Sequence, residues 1–249
     1  MLDLFREHQT LGAAECAREL DMPRASAHRM LVSLRVSGVL DCSADGQYRL
    51  ALALFELGSL VPLRRYYRQL SQAPLKELCL TVKLPAHLAI REDQHLVYVK
   101  KASYGTADRH GDSGQRGSLH ATASGKVLLA FAPDDVVADV VAAGLERFTA
   151  ATLQDGRTLA DALAKIRDVG YAREVDESLV GRGALAVPIR NEVGAIVASL
   201  SLSGPTEIGG SAVPQLLPAI RRTARIMESR LRARLRGHGV KAASNSDAA

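Results

Sequence analysis

Residues 15–35, ECARELDMPRASAHRMLVSLR, hold two apolar-periodic segments separated by a very short link. The first segment runs from Ala13 to Leu20, and the second from Pro23 to about Ser37. Pro23 fits the first turn of a helix because its missing N–H has no intrahelical partner there. Apolar residues of the second segment recur with helical spacing, which predicts that they face the core: Ala27, Met30, Leu31 and Leu34. Since only Asp21-Met22 joins the two helices, they must turn sharply, as in a helix-turn-helix.

The flanking residues complete a small domain of a known type. Leu2, Leu4 and Phe5 predict a short helix before the pair. After it, VLDCSADGQYRL (39–50) predicts two short strands around Asp45-Gly46, a dipeptide that favours a type I′ hairpin. Three helices and a hairpin predict a winged helix-turn-helix over residues 1–52. Residues 53–68 are predicted to form a linker helix that also pairs two chains, with a break or kink at Pro62.

The outer face of the third helix is the first candidate binding surface. Its hydroxyl, imidazole and guanidinium groups are of the kinds that reach base edges and phosphates from the major groove. The alternative, a solvated face on an ordinary helix, is less favoured because of the sharp turn and the wing. The predicted DNA-binding residues are Arg24, Ala25, Ser26, His28 and Arg29 on the helix and Gln47 and Arg49 on the wing. Arg24 and Arg29 are expected to contact the DNA backbone or guanine, and the wing residues flanking phosphates.

Net charge alone does not support DNA binding. The chain carries +5, but residues 221–249 hold eight Arg or Lys against two acids, so the tail accounts for the basicity. Residues 1–60 hold six Arg against eight Asp or Glu. The DNA prediction therefore depends on local geometry rather than on global charge.

From about residue 70 the pattern changes to mixed α and β. LPAHLAI and HLVYVKKA flank residues 91–94, and ALAVPIR and AIVASLSLSG flank residues 191–194, which predicts two hairpins. Helices are predicted at about 123–132, 134–143, 157–169 and 211–236. The predicted fold class is α+β, with an α/β domain over 69–236. Residues 237–249 are small and polar and are predicted to be disordered.

The stretch LHATASGKVLLAF (119–131) contains a Gly-Lys pair but is not a phosphate loop, and Lys126 is expected to be a surface or interface charge. That loop needs G-x-x-x-x-G-K-[ST], and here His120 stands at the first Gly and Val127 at the Ser/Thr. GDSG at 111–114 is also excluded as a serine-protease nucleophile, because Ser113 lies mid-chain and the following region looks helical. No Ser/Cys–His–acid constellation is evident, so an enzyme is not predicted.

Metal, cofactor and membrane roles are not predicted either. His87, His95, His110 and His120 fall in one region without metal-ligand spacing, and His87 fits a satisfied, partly buried histidine. The three cysteines are odd in number and lack C-x-x-C spacing. No apolar run approaches the roughly 18 to 20 residues of a membrane helix. The N-terminus has no signal-peptide features, so a cytoplasmic protein is expected.

Several long motifs in order resemble the IclR family of bacterial transcriptional regulators. They are ELDMPRASAHRML, DGQYRLALALFELG, LHATASGKVLLA, GYAREVDESLVGRGALAVPI and VASLSLSGP. The resemblance covers residues 2 to 235. It implies a winged helix-turn-helix followed by a GAF-like α/β effector-binding domain, usually assembled as a dimer of dimers. Because the chain starts partway into the family's first helix, the natural start is expected upstream.

The resemblance also implies an effector pocket. By position in the motifs it would use Ala123, Ser124, Glu174, Ala184, Ser201 and Ser203. A helix start at Ala123 would offer N–H groups to a carboxylate, and the two serines alternate with leucines so that both hydroxyls share one strand face. Many family members carry Asp in place of Glu174 and Cys in place of Ala184. The departures favour a larger or less polar acid than glyoxylate or pyruvate. Asp21 replaces a common Gly, which is tolerable because Asp adopts the left-handed conformation.

The function predicted from the sequence is a ligand-responsive regulator, more a repressor than an activator. Its predicted partners are a double-stranded DNA operator, a small carboxylate metabolite and further copies of itself as a homodimer or homotetramer. Two alternatives stay open at this point: a small-molecule hydrolase or transferase on the α/β domain, and a DNA-binding structural protein with an inert second domain.

Overall fold

The computed structural model describes residues 1–105 and 111–243, except for the side chains of 62–65, 68 and 234–243. The chain forms two compact units that divide between Tyr66 and Tyr67. Within the described residues, no helix is both long enough and apolar enough to cross a membrane. The domain boundaries predicted at 52 and 68 stay predictions.

The N-terminal unit is a helix-turn-helix with a wing. A 3₁₀ helix (Leu2–Arg6) precedes α1 (Ala13–Glu19), α2 (Arg24–Val36) and a hairpin of β1 (Leu40–Cys42) and β2 (Tyr48–Leu50). The core of this unit combines residues from every element: Phe5, Leu11, Cys16, Ala17, Ala27, Leu31, Leu40 and Tyr48. The turn between α1 and α2 uses Asp21 in the left-handed conformation, with φ of 46°. The sharp turn predicted from Asp21-Met22 is therefore present.

Two sequence expectations in this unit are wrong. Met30 was placed in the core but is 42% exposed, because Ala27, Leu31 and Leu34 alone cover the contact with α1 and the wing. The wing does not turn through a type I′ pair, which needs positive φ at both central residues. Gly46 has φ of 79°, but Asp45 does not adopt positive φ. Instead the Gly46 N–H bonds the Ser43 carbonyl and the Ser43 N–H bonds the Gln47 carbonyl, which makes a three-residue loop.

Two helices follow the wing. Helix α3 (Leu52–Leu60) ends just before Pro62, where α4 (Pro62–Val82) begins. The break predicted at Pro62 is present, but the second helix extends well past the predicted linker into the region expected to start the α/β domain. All nine residues of α3 are described and none of them is buried.

The second unit is built on a six-stranded antiparallel sheet in the order β5-β4-β3-β8-β7-β6. Its strands are β3 (Ala86–Glu92), β4 (His95–Ala102), β5 (Arg116–Gly117), β6 (Ala172–Val175), β7 (Arg182–Arg190) and β8 (Ile196–Pro205). The two predicted hairpins are β3–β4 and β7–β8. The short β5 and β6 were not predicted, since neither holds enough residues to show alternation.

Helices cover this sheet. Between β5 and β6 lie α5 (Ala123–Ala130), α6 (Asp134–Ala142) and α7 (Gly156–Val169), and α8 (Val213–Ala243) packs against β7 and β8. One sheet face joins α5 and α7 in a shared core through Ala89, Ala184 and Ala186. The alternate residues Leu185, Leu200 and Leu202 are buried as well, so both faces are covered. The predicted α+β class is thus confirmed.

The end of the chain differs in part from the expectation. Helix α8 continues to Ala243 and overlaps the beginning of the segment predicted as disordered, 237–249. The disorder stays a prediction, and residues 244–249 lie outside the described residues.

Candidate functional site

The exposed face of α2 is the candidate DNA interface. Arg24, Ala25, His28 and Arg29 are exposed and Ser26 is half-buried. At about 100° per residue, Ala25 and Arg29 lie opposite the stripe formed by the buried Ala27 and Leu31. Helix α2 contains three arginines and no acidic residue, although the surrounding domain is net acidic. This face is therefore a local positive surface.

A groove separates α2 from the wing. It has a volume of about 790 Å³ and is lined by Arg24, His28 and Arg35 on the α2 side and by Ser43 to Tyr48 on the wing side. The start of α1, including Glu15, also lines it. Arg35 was not predicted as a site residue, although it follows His28 by seven positions and so lies on the same flank. Its guanidinium extends the positive surface to the C-terminal end of α2.

Arg49 and Gln47, the two predicted wing residues, differ in exposure and in their contacts. Arg49 is exposed and lies 3.9 Å from Asp41 across the hairpin, a pair that is too long and too exposed to hold the guanidinium in place. Gln47 is half-buried at the loop end of the wing, with its side chain against Gly12. Arg49 is thus available to a phosphate, whereas Gln47 mainly packs the wing onto the start of α1.

The six predicted effector residues converge in the second unit. In the strand register Glu174 lies opposite Ala184, Ala184 opposite Ser203, and Ala186 opposite Ser201, so their side chains share the face that α5 covers. Ala123 and Ser124 form the first turn of that helix. All six residues are at most 6% exposed. The set is therefore one closed polar cluster inside an apolar core.

Glu174 is committed to the protein itself. One carboxylate oxygen accepts the backbone N–H of Ala123 at 3.1 Å, and the other accepts the backbone N–H and the hydroxyl of Ser178. The Thr122 hydroxyl caps the Gly125 N–H at 3.0 Å. The helix start that was expected to receive a ligand carboxylate already holds an internal one, a placement favoured by the helix dipole.

A hydrogen-bonded chain runs beside Glu174. Arg182 Nη2 donates to Ser203 Oγ at 3.1 Å, and Ser203 Oγ lies 3.0 Å from His87 Nε2. His87 Nδ1 is 3.3 Å from the Gly111 carbonyl, which can only accept, so Nδ1 donates this hydrogen bond. His87 is 2% exposed, consistent with its prediction as a satisfied histidine. His87 and Arg182 were missed as site residues, although His87 lies opposite Ser201 in the sheet.

Tyr98 belongs to the same cluster. It lies on β4 opposite Ala89, and its ring centroid is 5.5 Å from that of His87. Burial raises the pKa of Tyr98 well above its usual range, the charge of Glu174 raises it further, and Arg182 opposes both. The phenol therefore stays protonated and is a neutral polar group of the cluster.

Two buried hydroxyls in this region are unsatisfied. Ser124 Oγ and Ser199 Oγ have no hydrogen-bond partner among the described residues, and both side chains are at most 2% exposed. Ser199 continues the row of Ser201 and Ser203 along β8. A buried hydroxyl without a partner costs about 1–3 kcal/mol, so a further donor or acceptor at either serine would be stabilising.

Lys126 has a role that differs from the expected surface or interface charge. It is 4% exposed and its ammonium forms a short ion pair with Glu177. Burial raises the pKa of the Glu177 carboxyl, while Lys126 lowers it and Glu174 adds to the rise. The lysine of LHATASGK thus anchors the 176–181 loop against α5.

Other predicted or excluded features lie apart from this cluster. His120 bonds Ser118 Oγ and the Glu146 carbonyl and lines a separate cavity of about 350 Å³ with Arg116 and Phe148. Among residues 1–105 and 111–243, no three His, Cys, Asp or Glu side chains are grouped as metal ligands. His110, which the sequence grouped with the other histidines, lies outside the described residues.

Comparison with known proteins shows the family. The model for the IclR helix-turn-helix domain matches residues 1–41, and that for the bacterial transcriptional regulator IclR C-terminal matches residues 64–228. The chain belongs to the IclR family. The resemblance inferred from the motifs is confirmed.

Individual relatives support this conclusion over most of the chain. The HTH-type transcriptional regulator XynR of Escherichia coli K12 is 33% identical over 207 residues, 82% of each chain. The repressor AllR of the same strain is 29% identical over 198 residues, 78% of this chain and 73% of AllR. An IclR homologue from Microbacterium hydrocarbonoxydans, crystallised with 4-hydroxybenzoate, superposes with a TM-score of 0.78 at 27% identity, covering 90% of this chain and 92% of that one.

This IclR-family chain is a ligand-responsive, DNA-binding transcriptional regulator. Its relatives are named as regulators, so the enzyme alternative is not favoured. The family match also accounts for the second unit as an effector domain, which disfavours an inert one.

Proposed function

We propose that this protein is a repressor that binds a pseudo-palindromic operator and changes its DNA affinity when a small carboxylate metabolite occupies the α/β unit. One observation carries the proposal. A single chain joins an acid-free recognition helix to a unit whose closed interior holds a cluster of Ser, Glu, His, Tyr and Arg side chains. A ligand can act from there only by binding two conformations with different affinities.

On the DNA side, the exposed residues of α2 enter the major groove and the wing contacts the flanking backbone. Arg24 and Arg29 contact guanine or phosphate, Ala25, Ser26 and His28 approach base edges, and Arg49 contacts a phosphate. Gln47 supports the wing more than it touches DNA, because its side chain packs against Gly12. Arg35 adds a phosphate contact at the far end of the helix.

On the effector side, the cluster of Ala123, Ser124, Glu174, Ala184, Ser201 and Ser203 binds a small organic acid. The unsatisfied hydroxyl of Ser124 supports a polar ligand, and the Ala184 side chain beside the cluster is small and apolar. The homologue crystallised with 4-hydroxybenzoate makes an aromatic hydroxy acid the first compound to test. An acid from aromatic or organic-acid catabolism fits this chemistry.

Helix α3 supports assembly into a homodimer or a dimer of dimers. Leu52, Phe55, Leu57 and Leu60 are each at least 63% exposed in the single chain. Such an apolar helix is typical of an interface, which removes it from water. Two-fold pairing also places two recognition helices on two half-sites. As a DNA-binding protein without a spanning helix in its described part, it is proposed to act in the cytoplasm.

The proposal is tested in two steps. Rounds of selection from random duplex DNA with the full chain are expected to enrich an inverted repeat whose half-sites are spaced by one helical turn or a multiple of it. Calorimetric titration with 4-hydroxybenzoate, benzoate, pyruvate and glyoxylate is then expected to show saturable binding of at least one acid. Recovery of no preferred DNA sequence would contradict the DNA function, and binding of none of the acids would contradict the effector class.

A further inference from the structure

We propose that the exposed face of helix α8 is a second DNA-contact surface, which binds the phosphate backbone of duplex DNA without reading its sequence. This surface, the arginine stripe, consists of Arg222, Arg225 and Arg232. The stripe lies outside the surfaces that the proposed function assigns to DNA, which are α2 and the wing.

Helix α8 carries the whole positive excess of the chain. Between Val213 and Ala243 it holds eight Arg or Lys and a single acid, Glu228. Of the 32 Arg and Lys and the 27 Asp and Glu in the chain, 24 and 26 respectively lie elsewhere, so the rest of the protein is slightly acidic. Such a concentration of positive charge on one helix is typical of a surface that binds a polyanion.

The helical period places the arginine stripe along one side of α8. At about 100° per residue, its three members fall within about 80° of one another and span about 15 Å of helix. All three are exposed. The other side of the helix packs against β7 and β8 and is buried through Ile220, Ala224, Met227 and Leu231.

The guanidinium groups of the stripe are available to a partner. Among the described residues, Arg222 and Arg225 have neither an ion pair nor a side-chain hydrogen bond. Arg232 lies 3.9 Å from Glu228, but its side chain is 55% exposed, and so long a pair does not hold the guanidinium in place. The stripe therefore presents three charges to solvent.

Neighbouring arginines of α8 have a different role. Arg221 donates to the Val169 carbonyl at 2.7 Å and lies over the Tyr171 ring. Arg230 reaches the Leu70 carbonyl at 3.5 Å. These two residues pack the helix onto its own unit, which sets them apart from the stripe.

Duplex DNA fits the stripe better than a membrane or a second copy of the chain. A helix that lies on a membrane needs exposed apolar residues beside its basic ones, whereas the apolar side of α8 is buried and Ser229 stands between Arg225 and Arg232 on the exposed face. Two copies that paired through the stripe would bring like charges together. DNA carries one charge per about 1.7 Å of its axis, about nine over the length of the stripe. Arginine binds phosphate through two parallel donors.

The test measures binding of the full chain to duplex DNA of mixed sequence, by fluorescence anisotropy at several salt concentrations. A triple variant, Arg222→Gln with Arg225→Gln and Arg232→Gln, is expected to bind more weakly. Its slope of log affinity against log salt concentration is expected to be less negative by about 2.7, since each lost phosphate contact contributes about 0.9. Lys at the same three positions keeps the charge and is expected to retain the slope of the unchanged protein.

The control removes the same charge from exposed arginines elsewhere in the second unit, on β3, α7 and β6: Arg91→Gln, Arg157→Gln and Arg173→Gln. It is expected to leave the slope unchanged. Equal slope changes in the two triple variants would show that only net charge acts and would overturn the proposal, as would an unchanged slope in the stripe variant. Thermal melting checks folding, and if the stripe variant does not fold, Arg225→Gln alone decides, with an expected change of about 0.9.

Two further measurements separate this surface from other readings. Co-sedimentation with phosphatidylserine vesicles is expected to show no binding that depends on the stripe. Vesicle binding that the stripe variant loses while its DNA binding is unchanged would assign the stripe to a membrane and overturn the proposal. The stripe needs no particular DNA sequence, so enrichment of an operator together with an unchanged slope in the stripe variant would overturn the stripe alone.

Discussion

At the scale of single residues, Gly125 explains why the HATASGK segment contains a Gly-Lys pair. A Cβ added to Gly125 would lie 2.4 Å from the Ser118 carbonyl oxygen and 2.6 Å from the Leu119 Cα. Helix α5 therefore packs directly on the backbone that precedes it. The glycine permits this close approach of two backbone segments, and no phosphate is needed to explain it.

Gly125→Ala is expected to destabilise the protein by about 1–3 kcal/mol, the usual cost of overpacking, even though Ala favours a helix. The change is measured as a lower urea midpoint at unchanged slope. Gly156→Ala, at the start of α7, is the control, because its Cβ would lie 2.9 Å from a methyl group of the Val141 side chain rather than against a backbone segment. An equal effect of the two substitutions would contradict the packing role of Gly125.

The Lys126–Glu177 pair makes stability depend on pH. Because burial raises the pKa of Glu177 from its ordinary value of 4.5, the folded state binds more protons than the unfolded state above that pH. Stability must then fall as pH rises through the raised pKa. Glu177→Gln removes this dependence, so the free energy of unfolding of the unchanged protein, relative to that of the variant, is expected to decrease as the pH rises above 4.5 and through the raised pKa.

The pH prediction is checked by urea unfolding at several pH values. Glu192→Gln removes a carboxylate at the exposed turn between β7 and β8 and serves as the control. A difference between the unchanged protein and Glu177→Gln that stays constant or grows with pH would show that the Glu177 pKa is not raised.

The conformation and burial of single residues were predictable only where the local sequence pattern determined them. Asp21 at a two-residue link required a left-handed turn, and the structure has one. Lys126 looked like a surface charge because lysines are rarely buried, and its partner Glu177 lies 51 residues away. Met30 satisfied helical spacing, but the small contact with α1 and the wing leaves it exposed. Whether such a side chain is buried depends on residues that are distant in the sequence.

At the scale of elements, α2 carries the recognition surface. Arg29 lies opposite the buried stripe and is expected to reach DNA more directly than Arg24, which borders the groove beside the wing. Arg29→Ala is therefore expected to weaken binding of the selected operator by about 1–3 kcal/mol, roughly tenfold to a hundredfold. Fluorescence anisotropy at fixed salt measures the loss.

Arg6→Ala is the control for this prediction, since Arg6 lies in the same unit and pairs with Asp3 at 2.7 Å. It is expected to leave operator affinity unchanged. If Arg29 contacts phosphate rather than a base, the slope of log affinity against log salt concentration is expected to be less negative by about 0.9 in Arg29→Ala. Unchanged operator affinity in Arg29→Ala would refute the assignment of α2 as the recognition helix.

Helices and strands were predicted well where the hydrophobic periodicity extended over many residues. They were predicted poorly where turn geometry or strand pairing determined the structure. The main helices and both hairpins of the second unit lie close to their predicted positions. The wing loop was misjudged because Asp-Gly also fits a three-residue loop with one left-handed glycine. Strands β5 and β6 hold too few residues for a periodic signal, yet β6 carries Glu174.

At the scale of the whole molecule, α3 predicts association. Phe55→Asp places a charge on the exposed apolar helix and is expected to shift the protein toward monomer, as measured by light scattering during size exclusion. A standard interface buries roughly 800 Å² per partner. A charge near the centre of such an interface is expected to weaken the association. Val193→Asp, at a still more exposed apolar position in the β7–β8 turn, is the control. Retention of the original mass by Phe55→Asp would contradict pairing through α3.

The effector cluster shows what a sequence cannot supply. Ser201 and Ser203 were recognisable as one strand face, and motif resemblance pointed to Glu174 and Ala184. Arg182, His87 and Tyr98 join them only through strand register, because the β3–β4 hairpin that carries His87 and Tyr98 is far from β7 and β8 in the chain. That Glu174 occupies the α5 start is likewise a consequence of packing, because β6 and α5 meet only in the folded sheet.

The central claim is that acid binding and operator binding are coupled in this chain. It is tested by measuring the operator dissociation constant with and without saturating 4-hydroxybenzoate, and the dissociation constant of the acid with and without the selected operator. The two ratios are expected to differ from one and to equal each other, since coupling between two sites is reciprocal. An acid that binds the protein tightly yet leaves operator affinity unchanged would contradict the claim.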